Sequence, residues 1–291
     1  MIFVIIPVHN RIDYTHQCLS SLSKQDTDDY SIIIVDDGST DGTSEMVRRE
    51  FPQTILLQGD GSLWWVGSIN KGIRYVLDNC QPEDYILSLN DDLIVQTNYF
   101  SSLRQAAKEH SNAIIGSVET TMNSPDVIKS GGIAINWKTA KRRVLNKGCR
   151  LDQFTSGYSI EVDRLTGRGT MFPAKMFRAI GLYDEVHFQQ CGDPELPVRA
   201  KFKAGYELFV NYNAVVISQV PKDVDVNTKE TYSLSDWREY FFGIRSHFNI
   251  RDHFWFAWNV APNTFWFLRF FLLDLIRTIG HFLLRLNFLR Q

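Results

Sequence analysis

Apolar and polar positions in the first 120 residues follow two alternating rhythms. Largely apolar runs at Met1 to Ile6, Ser31 to Val35, Thr54 to Leu57, Tyr85 to Leu89 and Ala113 to Val118 are bounded by turn residues. Runs of that length and bounding predict strands buried on both faces. Between them, apolar residues recur at helical spacing: Tyr14, Cys18, Leu19 and Leu22 within Asp13 to Lys24, then Met46, Val47 and Phe51 behind a cap at Thr43 or Ser44. Further helices are predicted over Ser68 to Leu77 and Tyr99 to His110. Strands and helices in this order predict an α/β fold with a parallel sheet and right-handed crossovers. The first run stops at Pro7 without a basic leader or small-residue cleavage site, so it is expected to be a strand and not a signal peptide. From about Glu119 to Asp163 the rhythm dissolves into a polar region that contains Lys141-Arg142-Arg143. A change at Trp237, where aromatics become dense, marks the expected boundary between a domain of residues 1–236 and a segment of residues 237–291.

Two of the predicted strands end in carboxylates. Asp36-Asp37-Gly38-Ser39 follows Ile32 to Val35, and Asn90-Asp91-Asp92 follows Ile86 to Leu89. Open α/β sheets bind ligands beyond the carboxyl ends of their strands, so the two clusters predict a site for a nucleotide and its metal. Turn-forming is the plainer use of the same residues. With 31 basic against 33 acidic residues, bulk electrostatics gives no support to a nucleic-acid partner. Cys18, Cys80, Cys149 and Cys191 are scattered and form no Cys-x-x-Cys pair. That pattern fits reduced thiols in a cytosolic protein better than disulfides or a zinc site.

The C-terminal segment is rich in Phe, Trp and Leu, but Pro262, Arg269, Asp274, Arg277 and Arg285 interrupt it, which makes it a poor transmembrane span. On a helix, Asp274, Arg277, His281 and Arg285 share one stripe, while Phe270, Phe271, Leu272, Leu275, Ile276, Ile279, Leu283 and Leu286 fill the rest. A helix of this kind suits a membrane interface, where Arg269, Arg277, Arg285 and Arg290 would favour an anionic leaflet. Packing on the catalytic domain, or a contact in a homo-oligomer, is the alternative use of the same face.

Several segments carry a family resemblance in order: Ile5-Ile6-Pro7-Val8-His9-Asn10-Arg11, Val35-Asp36-Asp37-Gly38-Ser39, Asn90-Asp91-Asp92, Gly167-Arg168-Gly169-Thr170, Ile180-Gly181-Leu182-Tyr183-Asp184-Glu185, and Gly192-Asp193-Pro194-Glu195 ahead of Arg199-Ala200-Lys201. Over roughly residues 1 to 215 the chain resembles family 2 glycosyltransferases of the GT-A fold. It is similar in particular to bacterial polysaccharide and O-antigen sugar transferases, rhamnosyltransferase-like enzymes included. The resemblance implies one Rossmann-like, mostly parallel central sheet flanked by helices, with a C-terminal helical appendage. It also implies a nucleotide diphospho-sugar donor, a UDP- or dTDP-sugar, whose diphosphate is neutralised by Mg2+ or Mn2+. By the same resemblance Asp92 is the metal ligand, with Asp91 near the ribose or a metal-bound water. Pro7, His9 and Arg11 line the base pocket, and Asp36 and Asp37 hydrogen-bond base and ribose. Asn70 and Gly72 match an Asn-x-Gly feature near the donor. Trp65, with Trp64, either stacks on base or sugar or fills the core.

By the same resemblance Gly167, Arg168 and Gly169 would form a loop at the acceptor or donor sugar. The resemblance also makes Asp193 the candidate general base for the acceptor hydroxyl's proton, with Glu195 as a second acid on the same turn. A helix N-terminal acid complementing the dipole is the plainer role for Asp193. The family reaction is a single inverting displacement with no covalent intermediate. Two departures bear on the metal: Asn90 stands where relatives have the first acid, and Val215 to Gln219 lacks the histidine many relatives carry, with His247 and His253 lying further on. The expected protein is a cytoplasmic enzyme, peripheral on the inner face of the cell membrane, extending a saccharide or lipid-linked saccharide for a surface polysaccharide. The alternatives are a nucleotidyltransferase, which needs a Gly-rich phosphate loop that Ile5 to Arg11 lacks, and a non-catalytic sugar-nucleotide-binding scaffold, whose sequence sign would be the loss of Asp92 or Asp193, and both are present.

Overall fold

A computed structural model describes residues 1–219 and 232–286. Arg290, one of the arginines assigned to an anionic leaflet, lies outside the described residues. The N-terminal half contains β1 (Ile2–Val8), α1 (Ile12–Leu22), β2 (Tyr30–Asp36), α2 (Thr43–Glu50), β3 (Ile55–Gln58), α3 (Trp64–Asn79), β4 (Tyr85–Ser88), β5 (Leu93–Val95), α4 (Tyr99–Glu109) and β6 (Ile114–Thr121). There follow β7 (Ile133–Asn136), β8 (Lys141–Val144), β9 (Ser159–Glu161), β10 (Thr170–Pro173), α5 (Ala174–Ile180), α6 (Glu195–Ala204) and β11 (Leu208–Ser218). The C-terminal segment is helical: α7 (Trp237–Phe242), α8 (Ile250–Val260) and α9 (Thr264–Leu284).

The main sheet runs β3-β2-β1-β4-β10-β6-β11-β5, with β9 also paired to β11. β3, β2, β1 and β4 are parallel to one another, as the alternating pattern predicts. Period-2 alternation along β1 explains its continuous apolarity. Phe3 and Ile5 point into one core layer, with α3, α5, α6, α8 and α9, while Ile2, Val4, Ile6 and Val8 point into the other, with α1, α2 and α4. β10 is reversed, pairing antiparallel to β4 and β6. Its first residue, Thr170, therefore lies beside Ser88, where β4 ends. That reversal brings the Gly167–Gly169 loop to the Asn90–Asp92 turn.

The polar stretch after β6 contains an ordered antiparallel hairpin, β7 with β8. α3 begins at Trp64, about one turn before the predicted start. Its first turn is held from another loop: the Trp64 N–H donates to Asp37 Oδ2 at 2.9 Å. A cap so remote leaves no local signature.

α8 and α9 pack through Phe256, Ala257, Val260, Phe267 and Phe270 onto the same core layer as α3 and α6. The polar stripe of α9 turns inward, opposite to the orientation an interfacial helix with a solvated stripe would have. Asp274, 3 % exposed, accepts a forked pair from Arg142 of β8, with Nη1 at 3.0 Å and Nη2 at 2.9 Å. The His253 Nδ1 lies 3.1 Å from the same carboxylate. Facing outward instead are Phe265, Leu268, Leu272, Ile276 and Leu283. Among the described residues no helix is long and apolar enough to cross a membrane.

Candidate active site

The chain turns sharply after β4, and Asn90, Asp91 and Asp92 gather under two guanidiniums. Arg11, at the entry to α1, donates to Asp91 Oδ1 at 2.9 Å and lies 3.5 Å from Asp92 Oδ2. Arg168 reaches Asp92 Oδ1 at 3.2 Å and Glu119 Oε1 at 3.0 Å, and it donates to Ser218 Oγ at 2.8 Å. Ser218, the last residue of β11, stands in the stretch where a histidine was missing, and it orients Arg168. Both aspartates are buried. Burial pushes the Asp91 carboxyl up to about 7, against the pull of Arg11 and with the push of Asp92.

Gly167 ties this turn to the candidate base. Its N–H donates to Asp193 Oδ2 at 2.9 Å and its carbonyl accepts from Ser88 Oγ at 3.2 Å. A side chain there has no room, since a Cβ would come within 2.2 Å of Trp65 and 3.2 Å of the Asp193 Cβ. Gly169 closes the loop, its N–H donating to Ser88 O at 3.0 Å and its carbonyl accepting from Ser117 Oγ at 2.7 Å. Asp193 is partly accessible, and its Oδ1 makes no hydrogen bond among the described residues.

Several residues expected at the ligand serve the scaffold. Asp36 is fully buried, accepting from the Ser39 N–H and from the Ser44 hydroxyl, so it braces the loop instead of meeting a base or ribose. Asp37 accepts one N–H at each oxygen, from Gly61 and from Trp64, at 2.9 Å each, which ties the Gly59–Trp64 loop to the end of β2. Asn70 is fully buried and clamps Tyr183 through both its N–H and carbonyl, which makes it a brace between α3 and the segment before α6 and removes it from the donor. Gly72 lets α3 cross β1: a Cβ would meet Ile5 Cγ2 at 2.4 Å. Glu195 is likewise no second acid in contact with substrate. It is fully buried and held by Arg199 Nε at 2.6 Å. Burial raises its carboxyl above the usual range, against the Arg199 charge.

Trp65 donates from Nε1 to Asn90 Oδ1 at 2.9 Å and packs edge-on against Tyr183. It positions the acidic turn, and it consumes the Asn90 oxygen that would otherwise be a ligand. His9 is exposed and Pro7 half-buried, and the His9 Nδ1 lies 2.6 Å from the Asp37 carbonyl, so the loop after β1 is tied to the loop after β2. His253 is committed to Asp274 and the His247 carbonyl, and it reaches neither Asp91 nor Asp92. Glu119, Ser218 and Arg164 were not singled out from sequence. Only the neighbouring Gly-Arg-Gly motif pointed toward them.

Asp91 Oδ2 is buried without a hydrogen-bond partner, and Asp92 Oδ1, likewise buried, has the Arg168 guanidinium at 3.2 Å. They are hard oxygen donors of the kind Mg2+ and Mn2+ take, usually with one or two carboxylates while phosphate oxygens complete the shell. Among the described residues no group of three His, Cys, Asp or Glu side chains could hold a metal alone, and the adjacent carboxylates of Asp91 and Asp92 supply the one or two oxygen ligands such a cation commonly takes from protein.

The model of glycosyl transferase family 2 matches residues 3–164, more than half of the chain. The glycosyltransferase GlyG of Streptococcus pneumoniae serotype 4 is 29 % identical over 121 residues, 40 % of this chain and 38 % of that protein. The chain thus matches less than half the length of that curated relative. Among solved structures, Staphylococcus aureus TarS 1–349 in complex with UDP-GlcNAc superposes with a TM-score of 0.61 at 14 % identity, over 97 % of this chain and 73 % of that one. The mannosyltransferase PcManGT of Pyrobaculum calidifontis, in complex with GDP-Man and Mn2+, gives 0.56 at 16 % identity, over 96 % and 73 %. At these identities the likeness is one of fold.

Proposed function

The chain belongs to glycosyl transferase family 2 and has the GT-A fold, and on that footing we propose that it moves a sugar from a nucleotide diphospho-sugar to a saccharide or lipid-linked saccharide with inversion. Membership of the family is the finding; the transfer of a sugar, its course, the substrates and the setting are the proposal. One observation carries it: the Gly167–Gly169 loop joins the acidic turn after β4, through Arg168 and Asp92, to Asp193, through the Gly167 N–H. A group that handles the leaving diphosphate and a group that takes the acceptor's proton are thus held on one short rigid segment, as a single in-line displacement requires.

Asp193 keeps Oδ1 for the acceptor hydroxyl while Oδ2 is anchored. Arg11 and Arg168 present cationic edges beside the acidic turn, where a UDP- or dTDP-sugar would place its diphosphate. A divalent cation, Mg2+ or Mn2+, held by Asp92 with Asp91 beside it, would neutralise the leaving diphosphate. Trp65 and Ser218 position Asn90 and Arg168, respectively. Asp92→Ala is expected to weaken metal-dependent UDP binding roughly tenfold or more, read as a smaller thermal shift with UDP and Mn2+ or Mg2+. The same shift in wild type and variant, with metal and with chelator, removes Asp92 from that role.

We place catalysis in residues 1–236 and attachment in residues 237–291, with the enzyme peripheral on the cytoplasmic face of a membrane and serving surface-polysaccharide synthesis. The outward face of α9 supports this reading, since Ile276 is 65 % and Phe265 63 % exposed, flanked by exposed Trp258. Burying such side chains in a lipid interface yields about 1.5–3 kcal/mol each. Leu272→Gln with Ile276→Gln touches no core contact. It is expected to cut co-flotation with anionic vesicles more than tenfold while leaving the thermal midpoint in place. Unchanged flotation together with a change from dimer to monomer would assign the face to a homo-oligomer instead.

A further inference from the structure

A cavity of about 290 Å3, near the lower end of the roughly 300–1,000 Å3 typical of small-molecule sites, lies where the base loop meets α8. Arg142, Arg164, Pro194, Asp252, His253 and Phe256 are among its lining residues. Its two guanidiniums differ in one respect. The charge of Arg142 is matched by the forked pair with Asp274. Arg164 makes no side-chain hydrogen bond and no ion pair among the described residues, and its Nε is buried without a partner. Its backbone N–H is fixed to Ile133 O at 3.0 Å and its Cζ lies 6.0 Å from the Phe256 ring centre, so the side chain is held in place without being neutralised. Asp252, the sole carboxylate among the described lining residues, forms no ion pair with it. Burial pulls Arg164 down to about 10, helped by Arg142 and resisted by Asp193 and Asp274. A half-buried guanidinium whose Nε is out of water and whose charge has no partner is costly, and the arrangement is relieved when an anion enters.

The position of the cavity indicates which anion. Pro194, in its wall, follows Asp193 directly, and Arg164 precedes by three residues the Gly167 whose N–H holds Asp193. Arg168, on the same loop, is committed to Asp92, Glu119 and Ser218 at the end where the diphosphate is expected. We infer that this cavity is the acceptor subsite and that Arg164 binds an oxyanion of the acceptor, a phosphate or a carboxylate, beside the base. The inference rests on the transferase reading of Asp193. Arg164 is then a specificity-determining residue, selecting acidic over neutral acceptors through a charge-assisted hydrogen bond.

The test is calorimetric titration of inorganic phosphate and, separately, glucuronate into UDP-saturated wild type, Arg164→Met and Arg164→Lys. At least one anion is expected to bind wild type, to bind Arg164→Met roughly tenfold or more weakly, and to bind Arg164→Lys at an intermediate level, with UDP affinity unchanged in all three. Which anion binds tells phosphate from carboxylate. Failure of both anions to bind, equal binding by wild type and Arg164→Met, or displacement of the anion by UDP overturns the inference. Should Arg164→Met not fold, the comparison with Arg164→Lys decides, since equal affinities there overturn it too. If UDP itself does not bind wild type, the donor reading fails separately, and the same titrations run without UDP still judge the cavity.

Discussion

Asp193→Asn is expected to lower turnover by a factor of roughly 100 to 10,000, the usual contribution of a positioned general base, while UDP binding stays within about twofold of wild type. The substitution is nearly isosteric, and the amide oxygen can still accept the Gly167 N–H that anchors the loop at 2.9 Å. What it removes is the basic oxygen facing the acceptor hydroxyl. Nucleotide affinity should survive because Arg11, Asp91 and Asp92 sit at the other end of the loop and keep their pairs. Turnover read as UDP release, together with calorimetry of UDP, checks both halves. Turnover near wild type would return Asp193 to its plainer role as an acid at the start of α6, and a matching loss of UDP binding would show that the variant had disturbed the site as a whole.

Asp274→Asn is expected to destabilise the fold by about 3–5 kcal/mol, because it leaves Arg142 partly buried without its counter-charge. For a domain of this size that corresponds to a fall in Tm of roughly 10 °C. The effect should depend on pH in a definite sense. Burial by itself would raise the Asp274 carboxyl, but the His253 hydrogen bond and the Arg142 charge outweigh it and hold the group at about 2. An unfolded chain titrates aspartate at about 3.9. The folded value is the lower one, so the carboxylate's contribution, about 2.5 kcal/mol, is present in full above about pH 5 and is lost as pH falls through 2. Chemical denaturation of wild type and Asp274→Asn should therefore give curves well separated at pH 7 whose separation narrows by about 2.5 kcal/mol toward pH 2. A separation below about 1 kcal/mol at neutral pH, or one that does not narrow on acidification, would contradict this account. The double variant Arg142→Met with Asp274→Leu should recover much of the loss, since apolar replacements remove both desolvated charges together. Because Arg142 also lines the cavity beside Asp193, the pair links the C-terminal helices to the acceptor side of the site.

The sequence by itself determined the parallel half of the sheet, its helices and the two acidic turns at strand ends. These are local facts: a strand buried on both faces must be continuously apolar, as Ile2 to Ile6 and Ile32 to Val35 are, and the chain can leave it only through turn-forming residues. It also marked Asp92, Arg168 and Asp193 through ordered motifs. Tertiary structure alone decided which polar residues remain available to a ligand, because an aspartate reads the same whether it faces solvent or a serine. Burial committed Asp36 to Ser44, Asn70 to Tyr183 and Glu195 to Arg199. It likewise decided the reversed β10 that carries the Gly167 loop to Ser88, and the inward turn of the polar stripe of α9, whose partner Arg142 lies 132 residues away in sequence. Pairings at such separations depend on how packed elements bring charges together and on how costly it is to bury one unpaired. Neither helical nor strand periodicity records them, so Arg164 and its cavity appear only once the chain is folded.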